Sequence, residues 1–250
     1  MSENFVRLLE AAVRRDPRAP ALVWHDGSMT REELSRRAGG LARTLAGRGI
    51  KAGDTIAVPI GNRWSLAAAL WGGLKLGATV APLNPRLTAD ERARTLADLR
   101  PREVLEDVGD ETADWPDLPA PAAPAIVLYT SGSTGEPKGA VLSHAALEFA
   151  IRSWAEPVMA LTPDDVVLAV LPLSHSFGLN GALLAPLLTG ARVVFVEHFI
   201  PAAVLDAIAR HRVTILPAVA TMFRRLLDSP ALAGADLSSL RLALSGAAPC

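Results

Sequence analysis

One cysteine in 250 residues, Cys250, leaves no partner for an internal disulfide, which fits a reducing compartment. Lysine is nearly as scarce, with Lys51, Lys75 and Lys138 set against twenty-two arginines. Twenty-five basic and 26 acidic residues leave a net charge of −1, so nothing electrostatic points to nucleic acid or an acidic membrane surface as partner. His25, His198 and His211 share no metal-ligand spacing with each other or with Cys250, and no repeat or low-complexity block interrupts the chain. Met1 to Asp16 carries Glu3, Glu10 and several arginines among its apolar residues, the pattern of neither a secretory signal nor a membrane span. The expectation is a cytoplasmic protein without a transmembrane segment, long enough to bury a real core as one large or two ordinary domains.

What the chain does have is concentrated at Thr130-Ser131-Gly132-Ser133-Thr134-Gly135-Glu136-Pro137-Lys138-Gly139, directly after the apolar run Ala125 to Tyr129. Gly132 and Gly135 allow close backbone approach, so successive N–H groups can turn toward one anion. Thr130, Ser131, Ser133 and Thr134 add hydroxyl donors. Lys138 adds a compact positive charge, a choice that stands out in so arginine-rich a chain. This is the chemistry of a loop that holds phosphate. It is not a Walker A loop, because Pro137 precedes Lys138 and drives Glu136 away from helical backbone. Nor is it the dinucleotide fingerprint, whose second glycine falls on Thr134.

The same ten residues resemble the phosphate-loop motif of the adenylate-forming superfamily, which includes acyl-CoA synthetases, the adenylation domains of peptide synthetases and firefly luciferase. Leu171-Pro172-Leu173-Ser174-His175-Ser176-Phe177-Gly178-Leu179 is similar to the segment that lines the acyl pocket in the CoA synthetases. Val219-Ala220-Thr221-Met222-Phe223 resembles the next pocket element, with Ala220 where the family usually has proline. Ser245-Gly246-Ala247-Ala248-Pro249 resembles the start of the adenine loop, and Met29-Thr30-Arg31-Glu32-Glu33-Leu34 extends the likeness to essentially all 250 residues.

The resemblance implies a reaction in which a carboxylate attacks the α-phosphorus of ATP, expels pyrophosphate and gives an acyl-adenylate, from which a thiol, usually that of coenzyme A, displaces AMP. Positioning and charge neutralisation then carry catalysis, with Lys138, Thr134 and His175 as the catalytic candidates. Thr130, Ser131, Gly132, Ser133, Thr134, Gly135 and Lys138 would cradle the phosphates, and Gly246, Ala247, Ala248 and Pro249 would receive adenine. His175, Phe177, Gly178, Thr221 and Met222 would line the acyl pocket. A lone loop histidine is most often a surface or packing residue, but the setting of His175 makes it a pocket wall near the carboxylate rather than a proton carrier. His144 is expected to pack or cap. The apolar surroundings of His175 suit a fatty or other hydrophobic acid, and so fatty acid metabolism, better than an amino acid. The family's magnesium-binding glutamate, its ribose-binding aspartate and its C-terminal domain with the adenylation lysine have no counterpart in this sequence. The expected function is therefore the N-terminal part of an acyl-CoA ligase using ATP, Mg2+ and coenzyme A. The alternatives are a carrier-protein-loading or amino-acid adenylation domain, or a nucleotide- and acyl-binding fragment without turnover.

Helix and strand patterns alternate along the chain. Helices are expected at 4–15, 30–48 (opened by a Thr30/Glu33 capping box), 64–76, 88–99 (a Thr88/Glu91 box), 143–154, 179–188, 201–211 and 219–228. Strands are expected at 21–24, 55–60, 79–81, 125–129, 140–142, 166–170, 192–196, 213–216 and 240–244. His25 to Ser28 reads as a turn and 101–124, rich in acids and prolines, as an exposed connection. The fold class is α/β with parallel sheets covered by helices. The resemblance implies two mainly parallel sheets, one from residues 54–158 with the phosphate loop and one from 1–50 plus 165–250, with ligand where their loops face each other. A strand at 240–244 left unpaired along one edge would invite self-association.

Overall fold

The computed structural model describes residues 5–115, 118, 124–131 and 137–246. In chain order the first elements are α1 (Val6–Arg15), β1 (Pro20–Trp24), β2 (Gly27–Thr30), α2 (Arg31–Gly47), β3 (Thr55–Val58), α3 (Trp64–Leu76) and β4 (Thr79–Pro82). There follow α4 (Ala89–Leu99), β5 (Glu103–Val104), β6 (Ile126–Ser131), β7 (Pro137–Leu142), α5 (His144–Ser153) and a π-helical turn at Trp154–Val158. The remainder comprises β8 (Val166–Ala169), a π-helix (Phe177–Leu184), α6 (Ala185–Thr189), β9 (Arg192–Phe195), α7 (Pro201–His211), β10 (Ile215–Ala218), α8 (Ala220–Leu227), a 3-10 turn (Pro230–Gly234) and β11 (Leu242–Ser245).

These elements form two units, each with its own sheet. The first unit is Met1–Arg18, Arg31–Gly61 and Ser65–Ala150, and its sheet runs β5-β3-β4-β6-β7. The pairs β3/β4, β3/β5 and β4/β6 are parallel, and β6/β7 is an antiparallel hairpin. β4 is buried along its whole length, as expected of a central parallel strand with no polar face. α3 is apolar all round and is buried from Ser65 to Leu76. Its one charge, Lys75, is held by Glu10 at 2.8 Å and by Ser35 Oγ at 2.9 Å, while Glu10 also accepts from Trp71 Nε1 at 3.1 Å. The capping box of α4 is present: Glu91 N–H donates to Thr88 Oγ1 and Thr88 N–H to Glu91 Oε2 at 2.8 Å. Ser143 likewise caps α5, accepting from the Ala146 N–H at 3.1 Å. His144 does cap: its buried Nδ1 accepts the Phe5 N–H at 3.2 Å, at the start of α1.

The second unit is Ala19–Thr30, Asn62–Trp64 and Ile151–Cys250, with the sheet order β11-β10-β8-β9-β1-β2. Every pair is parallel except the β1/β2 hairpin. Val166, Leu168, Val194, Val204, Ile208 and Leu216 form a core cluster of this unit. At the amino ends of three strands, Asp165 accepts from Thr214 Oγ1 at 2.6 Å and from Arg241 Nε at 2.7 Å and Nη2 at 2.8 Å. One side chain thus ties together the starts of β8, β10 and β11.

Four sequence expectations are corrected. Of residues 1–50, only the hairpin 19–30 joins the second unit, because α1 and α2 pack in the first. His25 to Ser28 is not all turn: β2 begins at Gly27, where the Trp24 ring covers the glycine so closely that a Cβ would lie 2.6 Å from it. The connection after α4 is not simply exposed, since it contains β5 and buries Leu105, Val108 and Ala113. Its backbone lies on α2 at Gly39 and Gly40, where a Cβ would come within 2.0 Å of Ala113 O and 2.2 Å of Glu111 O; only glycine admits that approach. β10 runs through Pro217, in register with Leu244, where the sequence reading stopped at Leu216.

Candidate functional site

The phosphate-loop sequence closes the β6/β7 hairpin of the first unit. Thr130 stands opposite Lys138 and Ser131 opposite Pro137, so Lys138 lies on a strand and not in the loop. The side chains of Thr130 and Lys138 are exposed. Gly132, Ser133, Thr134 and Gly135 lie outside the described residues. The hairpin is pinned one residue earlier, where Tyr129 OH donates to Asp98 of α4 at 2.6 Å. Burial raises the Tyr129 hydroxyl well above its ordinary value, and the Asp98 carboxylate raises it further. Tyr129 is therefore a neutral anchor and not a proton donor to the loop.

The remaining candidates belong to the second unit, and its topology groups them. After β8 the chain moves to β9 on one side, while after β10 it moves to β11 on the other. The sheet therefore has a topological switch point between β8 and β10. Because β8, β10 and β11 are parallel, the segments that follow them all leave from the same, carboxyl edge. His175, Phe177 and Gly178 follow β8; Thr221 and Met222 follow β10; Gly246 follows β11. Ligands of open α/β sheets bind in the crevice at such a point.

His175 is exposed, its N–H donates to Pro172 O at 3.2 Å and its carbonyl accepts from Leu179 N at 2.8 Å. Phe177 begins a π-helix, a rare form that often marks functional sites. Its ring stacks on Trp154, with centroids 5.2 Å apart, and a Cβ on Gly246 would lie 3.3 Å from it. Phe177 and Gly246 are therefore brought together. Gly178 presses against the turn behind it, where a Cβ would meet Pro172 O at 2.4 Å. Thr221 is exposed on the first turn of α8, and Met222 packs partly on the β8/β10 core. Ala247, Ala248 and Pro249 lie outside the described residues.

Sequence reasoning passed over two residues here. Trp154 forms the floor beneath Phe177. Asn62, buried, donates from Nδ2 to Leu171 O at 2.9 Å and Ala169 O at 3.2 Å, and its Oδ1 accepts from Leu173 N at 3.2 Å. Its partners are more than a hundred positions away, and no local pattern marks them.

Comparison with known proteins bears on this geometry. The family described as AMP-binding enzyme matches residues 9–114 and 100–250. The chain belongs to this family. It is 33% identical over 96% of its length to 3-[(3aS,4S,7aS)-7a-methyl-1,5-dioxo-octahydro-1H-inden-4-yl]propanoyl:CoA ligase of Mycobacterium tuberculosis, of which it covers 56%. It is 35% identical over 94% of its length to feruloyl-CoA synthase of Amycolatopsis, covering 52% of that protein. This AMP-binding chain thus spans about half the length of the curated relatives it matches. Among solved structures, the inhibitor-bound N-terminal domain of FACL13 from Mycobacterium tuberculosis superposes with a TM-score of 0.88 at 27% identity, covering 99% of this chain and 71% of that one. ATP-bound MatB from Rhodopseudomonas palustris gives 0.87 at 28% identity, covering 98% and 55%.

Proposed function

We propose that this AMP-binding chain supplies the ATP- and acid-binding part of an acyl-CoA ligase. The whole protein would convert a carboxylic acid and ATP into an acyl-adenylate and pyrophosphate, and then transfer the acyl group to the thiol of coenzyme A with release of AMP. The observation that carries the reading is the gathering of His175, Phe177, Thr221, Met222 and Gly246 at the carboxyl edge of β8, β10 and β11, beside the switch point.

In this reading Thr130, Ser131, Gly132, Ser133, Thr134, Gly135 and Lys138 neutralise and orient the phosphates, so that the α-phosphorus is presented to the carboxylate and charge on departing pyrophosphate is offset. Gly246, Ala247, Ala248 and Pro249 receive the adenine. His175 walls the reacting carboxylate, and Phe177, Gly178, Thr221 and Met222 line the acyl chain. Mg2+ would screen the phosphates. Among the described residues no three His, Cys, Asp or Glu side chains gather as a metal site, so no ligand is assigned to it. The apolar lining supports a hydrophobic acid, and the names feruloyl-CoA synthase and 4-coumarate--CoA ligase among the relatives favour one with a ring. A cytoplasmic setting belongs to the same reading, as the compartment that supplies ATP and coenzyme A.

ATP–pyrophosphate exchange across fatty, aromatic, dicarboxylic and amino acids tests the proposal. Exchange with apolar acids supports it, and exchange confined to amino acids replaces it with amino-acid adenylation. Binding of ATP without exchange by any acid leaves this chain a binding module whose turnover requires more protein.

A further inference from the structure

The segment that presents His175 is held by a side chain from elsewhere in the sequence. β8 ends at Ala169, and the backbone beyond it leaves the sheet with polar groups to satisfy. Asn62 meets three of them: Ala169 O, Leu171 O and Leu173 N. Two acceptors on one side and one donor on the other match a carboxamide and no other small side chain. An aspartate of the same shape would set lone pairs against two carbonyl oxygens. The residues beside Asn62 are anchored in the same unit. Arg63 pairs with Glu197 at 2.7 Å, and the Trp64 ring lies 6.2 Å from that of Trp24. Asn62 is therefore a fixed post and not a swinging side chain.

From that post the constraint passes directly to the site. Pro172, between the two bonded residues Leu171 and Leu173, receives the His175 N–H on its carbonyl, and the same carbonyl abuts Gly178 at the start of the π-helix. We propose that Asn62 is a positioning residue for the acid site: its carboxamide sets the direction in which 171–175 leaves β8, and so fixes where His175 and Phe177 stand. This rests on the reading above that their segment lines the acid site. Groups that touch a reacting carboxylate must be held to a fraction of an ångström by their supporting shell, and a misplacement of about 1 Å costs about 100-fold.

The test compares Asn62→Asp with Thr214→Ala, which loosens the same sheet at its amino edge, away from the site. Affinity for an acyl-sulfamoyl adenosine, a stable acyl-adenylate mimic, is measured on the chain at a temperature where both variants are folded. Amide exchange at Leu173 is followed by NMR. The expected result is a loss of about 100-fold in affinity for Asn62→Asp with a changed Leu173 exchange rate, because loss of the two donations to Ala169 O and Leu171 O displaces the segment even though aspartate keeps an acceptor for the Leu173 N–H. For Thr214→Ala, affinity within about twofold of wild type is expected at a comparable fall in Tm. Should Asn62→Asp fail to fold, Asn62→Ser, which keeps one donor and one acceptor, carries the same comparison. Equal affinity losses in both variants, or unchanged Leu173 exchange, overturn the proposal by reducing Asn62 to a stabilising residue. Failure of the wild-type chain to bind the mimic at all overturns the functional reading, and this role with it.

Discussion

Replacing Asp165 by asparagine should destabilise the second unit without touching the ligand edge. Asp165 is 4% exposed and accepts five hydrogen bonds, from Arg241 Nε and Nη2, Thr214 Oγ1, and the N–H and Oγ1 of Thr162. Burial alone would raise its carboxyl, but the bonds from Arg241, Thr214 and the Thr162 N–H outweigh it and bring the value from 3.8 down to about 2. At about 1.4 kcal/mol per unit, that depression corresponds to about 2.5 kcal/mol. Arg241 is 40% exposed, and solvent screening reduces the figure to about 1–2 kcal/mol. Asp165→Asn also turns an NH2 group toward other donors, so a total loss of about 2–3 kcal/mol is expected. Urea unfolding over a range of pH measures it. A depressed carboxylate binds fewer protons folded than unfolded, so its contribution is present above 3.8 and is lost as pH falls through about 2. The variant should lack that part of the acid dependence. A loss below about 0.5 kcal/mol, or an acid profile parallel to wild type, would refute the reasoning.

Three further outcomes are expected. Burial lowers the His144 imidazole below 6.5, and its Nδ1 is already occupied by the Phe5 N–H. Stability of the first unit should therefore hold above 6.5 and fall as pH drops through the lowered value, while His144→Ala removes this dependence at a cost of about 1 kcal/mol for the lost cap; unfolding curves with pH check both. Lys138→Ala should weaken ATP binding by about 10-fold or more while leaving affinity for the free acid nearly unchanged in calorimetry, and equal losses would count against a phosphate role. β11 is the outermost strand at one end of its sheet, and the chain should self-associate through that edge. Light scattering should show concentration-dependent growth that Ala243→Lys suppresses, and a monomer at all concentrations would contradict this.

Periodicity carried most of the architecture into view. α3, α4 and α7 fall where their apolar spacing and caps put them, since local signals decided those ends. The sequence misses share one physical cause, tertiary contact that reverses a local preference. Gly27 reads as a turn until the Trp24 ring covers it. The acid- and proline-rich stretch after α4 reads as solvated until its backbone settles on Gly39 and Gly40. The π-helix at Phe177 to Leu184 has no sequence signature apart from its buried apolar character. Of the site, the motif residues after β8, β10 and β11 were legible by resemblance, but their common edge depends on strand order, which periodicity does not encode. Asn62 was invisible for the same reason, since its partners lie 107 to 111 positions away.

The most direct test of the central claim is a map of backbone amide shifts on titrating this chain with an acyl-sulfamoyl adenosine. The account predicts that the largest changes fall on His175 to Gly178, Ala220 to Met222 and Gly246, at the carboxyl edge beside the β8/β10 switch point, with Asp165, Thr214 and Arg241 unmoved. Changes centred on that opposite edge, or saturable binding that leaves His175 and Gly246 unperturbed, would contradict it.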